Sequence, residues 1–275
     1  MSQGTPLAGR TVVITGAASG IGRALAQRLA AHGCPVAIAD QDPVGLDETA
    51  AGIAGPVLQR RLDVRDRQGF LVLAADVADW APAPLGAVIN NAGVSAAQSV
   101  LHAALEDDEW VLDINLGGVV NGTRAFLPLL VEQDSGAIVN VSSVFGLLGF
   151  PHQSAYCASK FAVRGFTEAL RHELRETGVR AITVHPGGVR TNIARNSRFH
   201  ATADGKTDKE EAVGRFARVA RTSPERAAKI IHRGIEEGRA RIRVGADAVA
   251  LDVLSRAAPT RYYDVLNALQ RFEPR

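Results

Sequence analysis

The amino-acid sequence predicts an α/β fold in which a doubly wound parallel sheet forms a single domain. Short runs rich in β-branched residues, of which TVVIT at 11–15 is the first, alternate along the chain with longer amphipathic stretches. The short runs place apolar residues at consecutive positions, which is typical of strands that are buried on both faces. Strands that alternate with helices form right-handed βαβ units, and such units build a parallel sheet with helices on both sides.

The alternation can be followed in order until it weakens near the end of the chain. Predicted strands lie at 11–15, 36–40 and 57–64, then in GAVINNAG, AIVNVSS and AITVHPGG, with a last one at 242–245. Predicted helices cover 21–33, 65–80, 107–132 and 154–176. No repeat, linker or low-complexity tract divides this series. We therefore expect one domain over residues 1–275.

The composition is that of a soluble domain without a strong overall electrostatic field. The chain has 275 residues, of which 46% are hydrophobic and 22% charged, and its net charge of +2 gives no reason to expect nucleic acid or an anionic membrane as a partner. Cys34 and Cys157 lack the spacing of zinc ligands. The start MSQGTPLAGR does not resemble a signal peptide, and no apolar run approaches the roughly 20 residues of a membrane span. A cytoplasmic protein without a metal site is expected.

One stretch departs from the regular alternation. Residues 190–222 are polar and rich in arginine, and they contain ATADGKTDKEE in their middle. A long insertion within a compact domain is more often functional than neutral. We expect these residues to form a helical lid over a substrate site, and we expect the arginines of the lid to be solvated.

A glycine-rich turn, TGAASGIG, joins the first strand to the first helix. Gly16 permits a tight turn, Gly20 lets the backbone approach a ligand, and Gly22 allows the helix and strand to pack closely. Ser19 and Ile21 lie between these glycines, at the end of the helix that presents unpaired N–H groups to an anion. The spacing is G-x-x-x-G-x-G and not the common G-x-G-x-x-G, but its position between strand and helix predicts a phosphate site.

Asp40 ends the second strand, where a carboxylate can accept hydrogen bonds from the two ribose hydroxyls of an adenosine. A 2′-phosphate at this place would meet negative charge. The neighbouring Gln41 and Ser19 are not cationic, and Arg23 belongs to the following helix. The pattern favours NAD over NADP. The alternative is that Asp40 caps a loop, with Asp42 as a second acid nearby.

Tyr156 and Lys160 are four positions apart in a predicted helix, so their side chains lie on one face. A phenol beside an ammonium is either a surface hydrogen bond or an acid and the charge that adjusts it. A free tyrosine has a pKa of about 10, and a nearby cation lowers that pKa. The pair alone does not decide between the two interpretations.

Six motifs together resemble the short-chain dehydrogenase/reductase family. They are TGAASGIG, NNAG from Asn90, DINLGG around Asn115, VSS ending at Ser143, YCASK and HPGGVRT, in the family's order and spacing over 7–191. The resemblance implies a Rossmann-type fold that binds NAD(P) and transfers a hydride between the nicotinamide and a carbonyl or alcohol carbon. It also implies a small-molecule substrate and a homodimer or homotetramer, in which the helices 107–132 and 154–176 often form the interface.

The resemblance assigns roles to individual residues. Tyr156 would be the general acid/base, Lys160 its partner, Ser143 the polarising hydroxyl in preference to Ser142, and Asn115 a member of the proton relay. Tyr156 and Lys160 would also contact the cofactor. Further cofactor contacts are implied for Asp63, Val64, Asn91, Ala92, Gly93, Pro186, Gly187, Val189 and Thr191. The segment of Asn90, Ala92 and Gly93 is also implied to steady the sheet and line the cofactor.

The expected function is that of an NAD-dependent alcohol dehydrogenase or ketone reductase. Gly117 and Gly118 are poor helix formers, so a relaxed turn beside Asn115 is expected to leave a carbonyl for a water that connects the lysine to solvent. FGLLGFP after Ser143 is apolar enough to line a pocket for a hydrophobic secondary alcohol or ketone. Two alternatives are a catalytically silent nucleotide sensor or scaffold of the same fold, and a Rossmann-like methyltransferase, which gives the Tyr–Lys pair no task.

Overall fold

Parallel strands and helices alternate through the computed structural model, which describes residues 6–199 and 209–271. The strands are β1 (Thr11–Thr15), β2 (Val36–Asp40), β3 (Val57–Arg61), β4 (Leu85–Asn90), β5 (Ala96–Ala97), β6 (Gly136–Val141), β7 (Val179–Pro186), β8 (Arg198–Phe199) and β9 (Arg241–Val244). The helices are α1 (Gly20–Ala31), α2 (Pro43–Ala51), α3 (Arg67–Trp80), α4 (Leu105–Leu112), α5 (Gly118–Glu132), α6 (Ser154–Glu173), α7 (Lys209–Val219), α8 (Pro224–Glu236), α9 (Ala246–Ala257) and α10 (Tyr262–Arg271).

The main sheet has seven parallel strands in the order β3-β2-β1-β4-β6-β7-β9. The chain winds outward from β1 in one direction through β2 and β3, and then returns to place β4 on the other side of β1. Ligands of such sheets bind at the carboxyl ends of the strands, where the winding direction reverses. The order confirms the predicted doubly wound sheet and points to the carboxyl ends of β1 and β4.

Each face of the sheet carries its own apolar cluster. Val12 and Ile14 pack in one cluster with Leu25 of α1 and Ile231 of α8. Val13, which lies between them, packs on the opposite face in a second cluster with residues of α3 and α5. All three residues of β1 are fully buried, and this explains why the strand reads as a continuous apolar run instead of an alternating one.

The sequence missed or misplaced some elements. The helix α2 was not predicted, although Asp42 caps it by accepting a hydrogen bond from the Val44 N–H at 3.1 Å and Pro43 occupies its first turn. The third strand ends at Arg61 and not at Val64, because the chain turns where the Asp63 carboxylate accepts the Arg65 N–H at 3.0 Å. Beyond Thr222 the helices α8, α9 and α10 were not predicted, whereas β9 lies where a last strand was expected at 242–245.

The predicted helix over 107–132 is interrupted. It consists of α4, a five-residue π-helical turn at Asp113–Gly117, and α5. Within the described part of the chain, this combined segment, Leu105–Glu132, is the one helix long and apolar enough by composition to cross a membrane. Half of its apolar window is buried inside the domain, where Phe126 and Leu130 belong to the core. Burial of this kind is typical of a core helix.

Candidate active site

The glycine turn has the backbone that the sequence predicts for it. Gly16 and Gly20 have positive φ angles of 67° and 55°, a conformation that favours glycine. A side chain on Gly16 would lie 2.7 Å from the Ala92 Cα, and a side chain on Gly22 would overlap the Gly16 carbonyl oxygen. Ser19 is exposed at the start of α1 and its side chain makes no capping hydrogen bond to a described residue. The turn therefore places the amino end of α1, with Ile21, beside a cradle formed largely by glycine backbone.

The Asp40 carboxylate is held beside this cradle. It accepts hydrogen bonds from the Ala18 N–H at 3.0 Å and from the Asp42 N–H at 3.1 Å, one on each oxygen. Asp40 therefore braces the loops around it, and it stands at the end of β2. Arg23 donates to the Ala18 carbonyl and pairs with Glu48 at 2.7 Å. The first arginine after the glycine turn is thus already paired with a carboxylate.

Asp63 and Val64 lie in the turn that follows β3. The Arg65 guanidinium hydrogen-bonds both oxygens of Asp63, with the shorter contact at 2.6 Å, and these bonds lower the pKa of the Asp63 carboxyl. Val64 is buried, and a side chain on Gly118 would lie 2.8 Å from its Cγ2 atom. Gly118 therefore lets α5 approach this turn closely.

The stretch after β4 is tied to the glycine turn by hydrogen bonds. The Asn91 side chain donates to the carbonyls of Thr15 and Gly16 at 3.0 and 3.1 Å, while the N–H groups of Asn91 and Ala92 donate to the Thr15 hydroxyl. Asn90 points into the core and donates to the Asn140 side chain at 2.8 Å. Asn90 therefore supports the sheet, as the resemblance implied, while Asn91 and Ala92 shape the cradle.

Ser143, Tyr156 and Lys160 meet in one buried place. The Ser143 side chain lies beside the Tyr156 hydroxyl, where it acts to lower the pKa of that phenol, and the Ser143 oxygen accepts the Phe145 N–H at 3.2 Å. The Lys160 ammonium lies 5.6 Å from the Tyr156 ring centroid and donates to the Val141 carbonyl at 3.0 Å. All three side chains are buried, each with less than a tenth of its surface exposed, and Lys160 is only 3% exposed. The Tyr–Lys pair is not a surface hydrogen bond.

Burial dominates the protonation of this pair in the protein alone. It raises the pKa of Tyr156 to about 12, against the hydrogen bond from Ser143, which lowers it. It also lowers the pKa of Lys160 to about 8. The sequence predicted that the lysine would lower the pKa of the tyrosine, and in this respect the prediction was wrong for the protein by itself. The ammonium faces the ring and the Val141 carbonyl, so the cost of desolvating a phenolate prevails.

Gly93 lies directly against the same group. A side chain on Gly93 would be 3.1 Å from the Asn115 Oδ1 atom and 3.2 Å from the Lys160 ammonium. Asn115 occupies the π-helical turn, so the relaxed helix expected from Gly117 and Gly118 is present. Turns of this type often occur at functional sites.

The Asn115 side chain is fully hydrogen-bonded. It accepts the Val94 N–H at 2.8 Å, and its amide donates to the Val94 carbonyl and the Ser159 hydroxyl, both at 3.0 Å. Ser159 in turn donates to the Tyr156 carbonyl at 2.8 Å. Asn115 thus joins the loop after β4 to the helix that carries Tyr156. Because these bonds occupy the Asn115 amide, they give no proton path through the side chain. The groups that could hold a relay water are therefore the backbone carbonyls of the π-helical turn.

The stretch after β7 closes the cradle from the other side. A side chain on Gly20 would meet the Thr191 Cγ2 atom at 3.1 Å, so the two loops are adjacent. Val189 pairs with Thr222 as an isolated bridge, and this pairing brings the two ends of the proposed lid together. The middle of the lid, residues 200–208, lies outside the described residues.

Two residues that the sequence did not single out hold this stretch. The Asp247 carboxylate accepts the Gly188 N–H at 2.6 Å and lies against Gly187, where a side chain would overlap it. His185 is fully buried just before Pro186 and its Nδ1 atom bonds the Ser143 carbonyl at 2.9 Å. Burial lowers the pKa of His185 to about 4, so it is neutral, and its Nδ1 donates. Asp247 lies in the region of weak sequence pattern, whereas His185 could have been suspected from its place in HPGG.

Apolar side chains surround Tyr156. Ala96, Val111 and Ala155 form a buried cluster with the tyrosine, and Phe145 and Ile193 pack against it. Cys157, which follows the tyrosine, is buried and free, as expected for a structural thiol. Among the described residues, no group of three His, Cys, Asp or Glu side chains could hold a metal ion. The chemical resources of the site are therefore a phenol, an ammonium and a hydroxyl in apolar surroundings.

Known proteins share this sequence and architecture. A family model described as short chain dehydrogenase matches residues 10–201. The putative oxidoreductase SadH of Mycobacterium tuberculosis is 44% identical over 266 residues, which are 94% of this chain and 95% of that protein.

Solved structures agree with these matches. A short-chain dehydrogenase/reductase from Burkholderia phymatum in complex with NAD has a TM-score of 0.81 and 30% identity, covering 91% of this chain and 94% of that one. The closed form of a serine dehydrogenase complexed with NADP+ has a TM-score of 0.75 and 27% identity, covering 85% of this chain and 93% of the other. Both nicotinamide nucleotides thus occur among structures of this fold.

Proposed function

We propose, from the premise that this chain belongs to the short-chain dehydrogenase/reductase family of oxidoreductases, that it transfers a hydride between NAD(H) and a secondary alcohol or ketone. The observation that carries the proposal is the meeting of the Ser143 and Tyr156 side chains in one buried place, beside the Lys160 ammonium. The glycine cradle and the Asp40 carboxylate fit a dinucleotide. The nicotinamide, when bound, exchanges the hydride and in its oxidised form carries a positive charge.

Tyr156 is the proposed general acid and base. Reduction of a ketone requires a proton at the carbonyl oxygen, and oxidation of an alcohol requires its removal. The raised pKa of Tyr156 keeps the phenol protonated in the protein alone, which suits the donation of a proton to a ketone. Added positive charge near the phenol lowers its pKa and suits oxidation. Ser143 is within hydrogen-bonding reach of the same hydroxyl and is proposed to hold the substrate oxygen.

Lys160 and Asn115 are proposed to support the tyrosine. The lowered pKa of Lys160, at about 8, lets the lysine exchange a proton near neutral pH. Asn115 bonds the backbone of Val94 in the loop after β4, and this bond holds the neighbouring Gly93 in close contact with the Lys160 ammonium. Asn115 is therefore proposed as a positioning residue, with water at the π-helical turn as the route to solvent.

The preference for NAD rests on the charges around Asp40. The carboxylate lies at the end of β2 with its oxygens oriented by two backbone N–H groups. Arg23, the first arginine after the glycine turn, is paired with Glu48 and bonded to the Ala18 carbonyl, which reduces its availability to a 2′-phosphate. The cofactor contacts proposed for Asp63, Val64, Pro186, Gly187, Val189 and Thr191 complete the groove.

The proposed substrate is hydrophobic, and the proposed lid over 190–222 covers it. Phe145 and Ile193 add apolar surface beside Tyr156. The base of the lid is anchored where Arg198 pairs with Asp107 at 2.7 Å and stacks on the Trp110 ring at 3.9 Å. An apolar wall next to one polar hydroxyl pair favours an alkyl or steroid-like ketone over a sugar.

We also propose a cytoplasmic homodimer or homotetramer. Leu112 and Phe161 are 37% and 40% exposed on the two helical segments expected at the interface, and burying them would be favourable. The two cysteines are free, in keeping with a reducing compartment. Light scattering on the purified chain measures the assembly.

The function is tested with a panel of alcohols and ketones that range from small aliphatic to steroid-like, each with NAD and NADP nucleotides. We expect turnover of apolar secondary alcohols or ketones with a higher kcat/KM for NAD(H), measured by NADH absorbance. Saturable NADH binding without turnover of any member would instead indicate a nucleotide sensor or scaffold. A preference for NADP would contradict the role of Asp40.

A further inference from the structure

The C-terminal helix α10 contacts the loop that follows Ser143. The Tyr262 hydroxyl accepts the Gly149 N–H at 3.0 Å and donates to the Gly149 carbonyl at 3.3 Å. The two residues are 113 positions apart, and a single phenol hydroxyl bonds both the backbone N–H and the backbone carbonyl of Gly149. A side chain on Gly149 would lie 3.3 Å from the same hydroxyl, so Tyr262 packs directly against this glycine.

The anchored loop carries two aromatic rings. Phe150, next to Gly149, stacks on Phe145 with ring centroids 5.1 Å apart and planes 12° apart. Phe145 in turn meets the Tyr156 ring edge to face, at 6.0 Å and 86°. We call Phe145 and Phe150 the aromatic wall. Contacts therefore run without a break from Tyr262 through Gly149 to the wall and to the proposed acid.

The helix α10 begins at a fixed place. Its first residue, Tyr262, donates its N–H to Ala258 at the end of α9 at 2.9 Å. The preceding helix is bonded to the sheet because the buried Asp252 carboxylate accepts Arg243 of β9 at 3.1 Å and Arg256 of α9 at 2.9 Å. Tyr262 thus extends from a rigid support, which a residue that positions a loop requires.

We propose that Tyr262 is a positioning residue that sets substrate size by holding the aromatic wall against the site of reaction. The inference rests on the proposed function and adds a determinant of its specificity. The hydroxyl is a suitable clamp because it restrains the loop through a donor and an acceptor at once, and losing it would leave the Gly149 peptide groups to water. Without this restraint, the aromatic wall could shift and admit substrates of a different size.

The test compares Tyr262→Phe with Tyr263→Phe, a matched control at the neighbouring position. Tyr263 is 37% exposed, and its hydroxyl has no hydrogen bond within the described ranges. For Tyr262→Phe, we expect KM for the preferred bulky ketone to change by about two- to tenfold, as the loss of a hydrogen bond predicts. We expect the ratio of kcat/KM between bulky and small ketones to shift by a similar factor. NADH affinity and kcat for a small ketone should stay at parental values, and Tyr263→Phe should match the parent throughout.

Hydrogen exchange of the segment 144–153, measured by mass spectrometry on the NADH-bound protein, gives a readout that is independent of turnover. We expect faster exchange in Tyr262→Phe than in Tyr263→Phe. An unchanged kcat/KM ratio, or unchanged exchange, would overturn the role of Tyr262. A parent protein without turnover on any substrate would overturn the proposed function, and with it the role in specificity, whatever the exchange data show about the clamp.

Discussion

The Lys160 ammonium lies over the face of the Tyr156 ring, 5.6 Å from its centroid. At this place the lysine bonds the Val141 carbonyl, and burial lowers its pKa while raising that of the tyrosine. Burial thus shifts each pKa towards the neutral form, although a pKa of about 8 leaves Lys160 an ammonium at neutral pH. Positive charge brought near the phenol would lower the pKa of Tyr156, so that the tyrosine would respond to the state of a bound nicotinamide.

Replacing Tyr156 by phenylalanine should remove the proton donor while keeping the ring that packs on Phe145. We expect kcat to fall by about 10²- to 10⁴-fold, the usual contribution of general acid–base catalysis. NADH binding, followed by fluorescence, should be unchanged, and Tyr263→Phe serves as the control. Turnover close to that of the parent would show that Tyr156 is not the acid.

Replacing Lys160 by methionine should separate stability from activity. We expect kcat/KM to fall by about 10²-fold. The folded-state pKa of about 8 lies below the ordinary 10.5, so between these values the unfolded chain binds more protons than the folded one. The free energy of unfolding of the parent should therefore rise relative to that of the variant from pH 8 to 10.5. Urea unfolding at several pH values measures the difference, and a constant difference would contradict a buried, desolvated ammonium.

His185 should make the protein sensitive to acid. Its pKa is lowered from 6.5 to about 4, so its contribution to stability is complete above pH 6.5 and is lost as the pH falls towards 4. His185→Asn keeps a donor for the Ser143 carbonyl but does not titrate. Over this interval, the parent should lose more free energy of unfolding than the variant. Parallel pH profiles for the two proteins would argue against a neutral, buried imidazole.

Asp40→Asn should weaken the proposed preference for NAD. The amide retains an acceptor for one backbone N–H but removes the charge that would repel a 2′-phosphate. We expect the ratio of kcat/KM for NAD to that for NADP to fall by about tenfold or more, as for loss of a hydrogen bond to a charged group. Asp42→Asn, which preserves the cap of α2, is the matched control. Equal effects of the two variants would refute a specific role for Asp40.

Asp247→Ala should loosen the loop after β7, because its carboxylate bonds the Gly188 N–H at 2.6 Å. We expect the Kd for NADH, measured by calorimetry, to rise by about two- to tenfold. Asp247→Asn keeps an acceptor for the Gly188 N–H, so its Kd for NADH should lie closer to that of the parent. If the alanine variant binds NADH as the parent does, the loop is held by other contacts.

Much of the fold could be predicted because its signals are local. The strands β1 and β2 have the predicted bounds, since each is a continuous apolar run between glycine or polar turns. The helix α2 was missed because it is short and weakly amphipathic, although an Asp–Pro start at 42–43 was a readable signal. The π-helical turn was foreseen only as irregularity, since two glycines lower helix propensity without selecting an alternative.

The site divides in the same way. Gly16, Gly20, Asp40, Tyr156 and Lys160 could be named because each occupies a recognisable position relative to a strand end or a helix turn. The protonation states of Tyr156 and Lys160 could not be predicted, because a pKa depends on the exclusion of solvent by residues that are distant in sequence.

The sequence by itself determined most of the alternation of strands and helices as far as β7, the glycine cradle at the first turn, and the Tyr–Lys pair on one helix face, because these depend on neighbours within a few residues. Only the tertiary structure decided that the ammonium faces the ring and a carbonyl, that Asp247 and Tyr262 hold loops about 60 and 113 positions away, and that burial governs the site's titration. Such contacts arise when packing brings distant segments together, and no local pattern encodes the result.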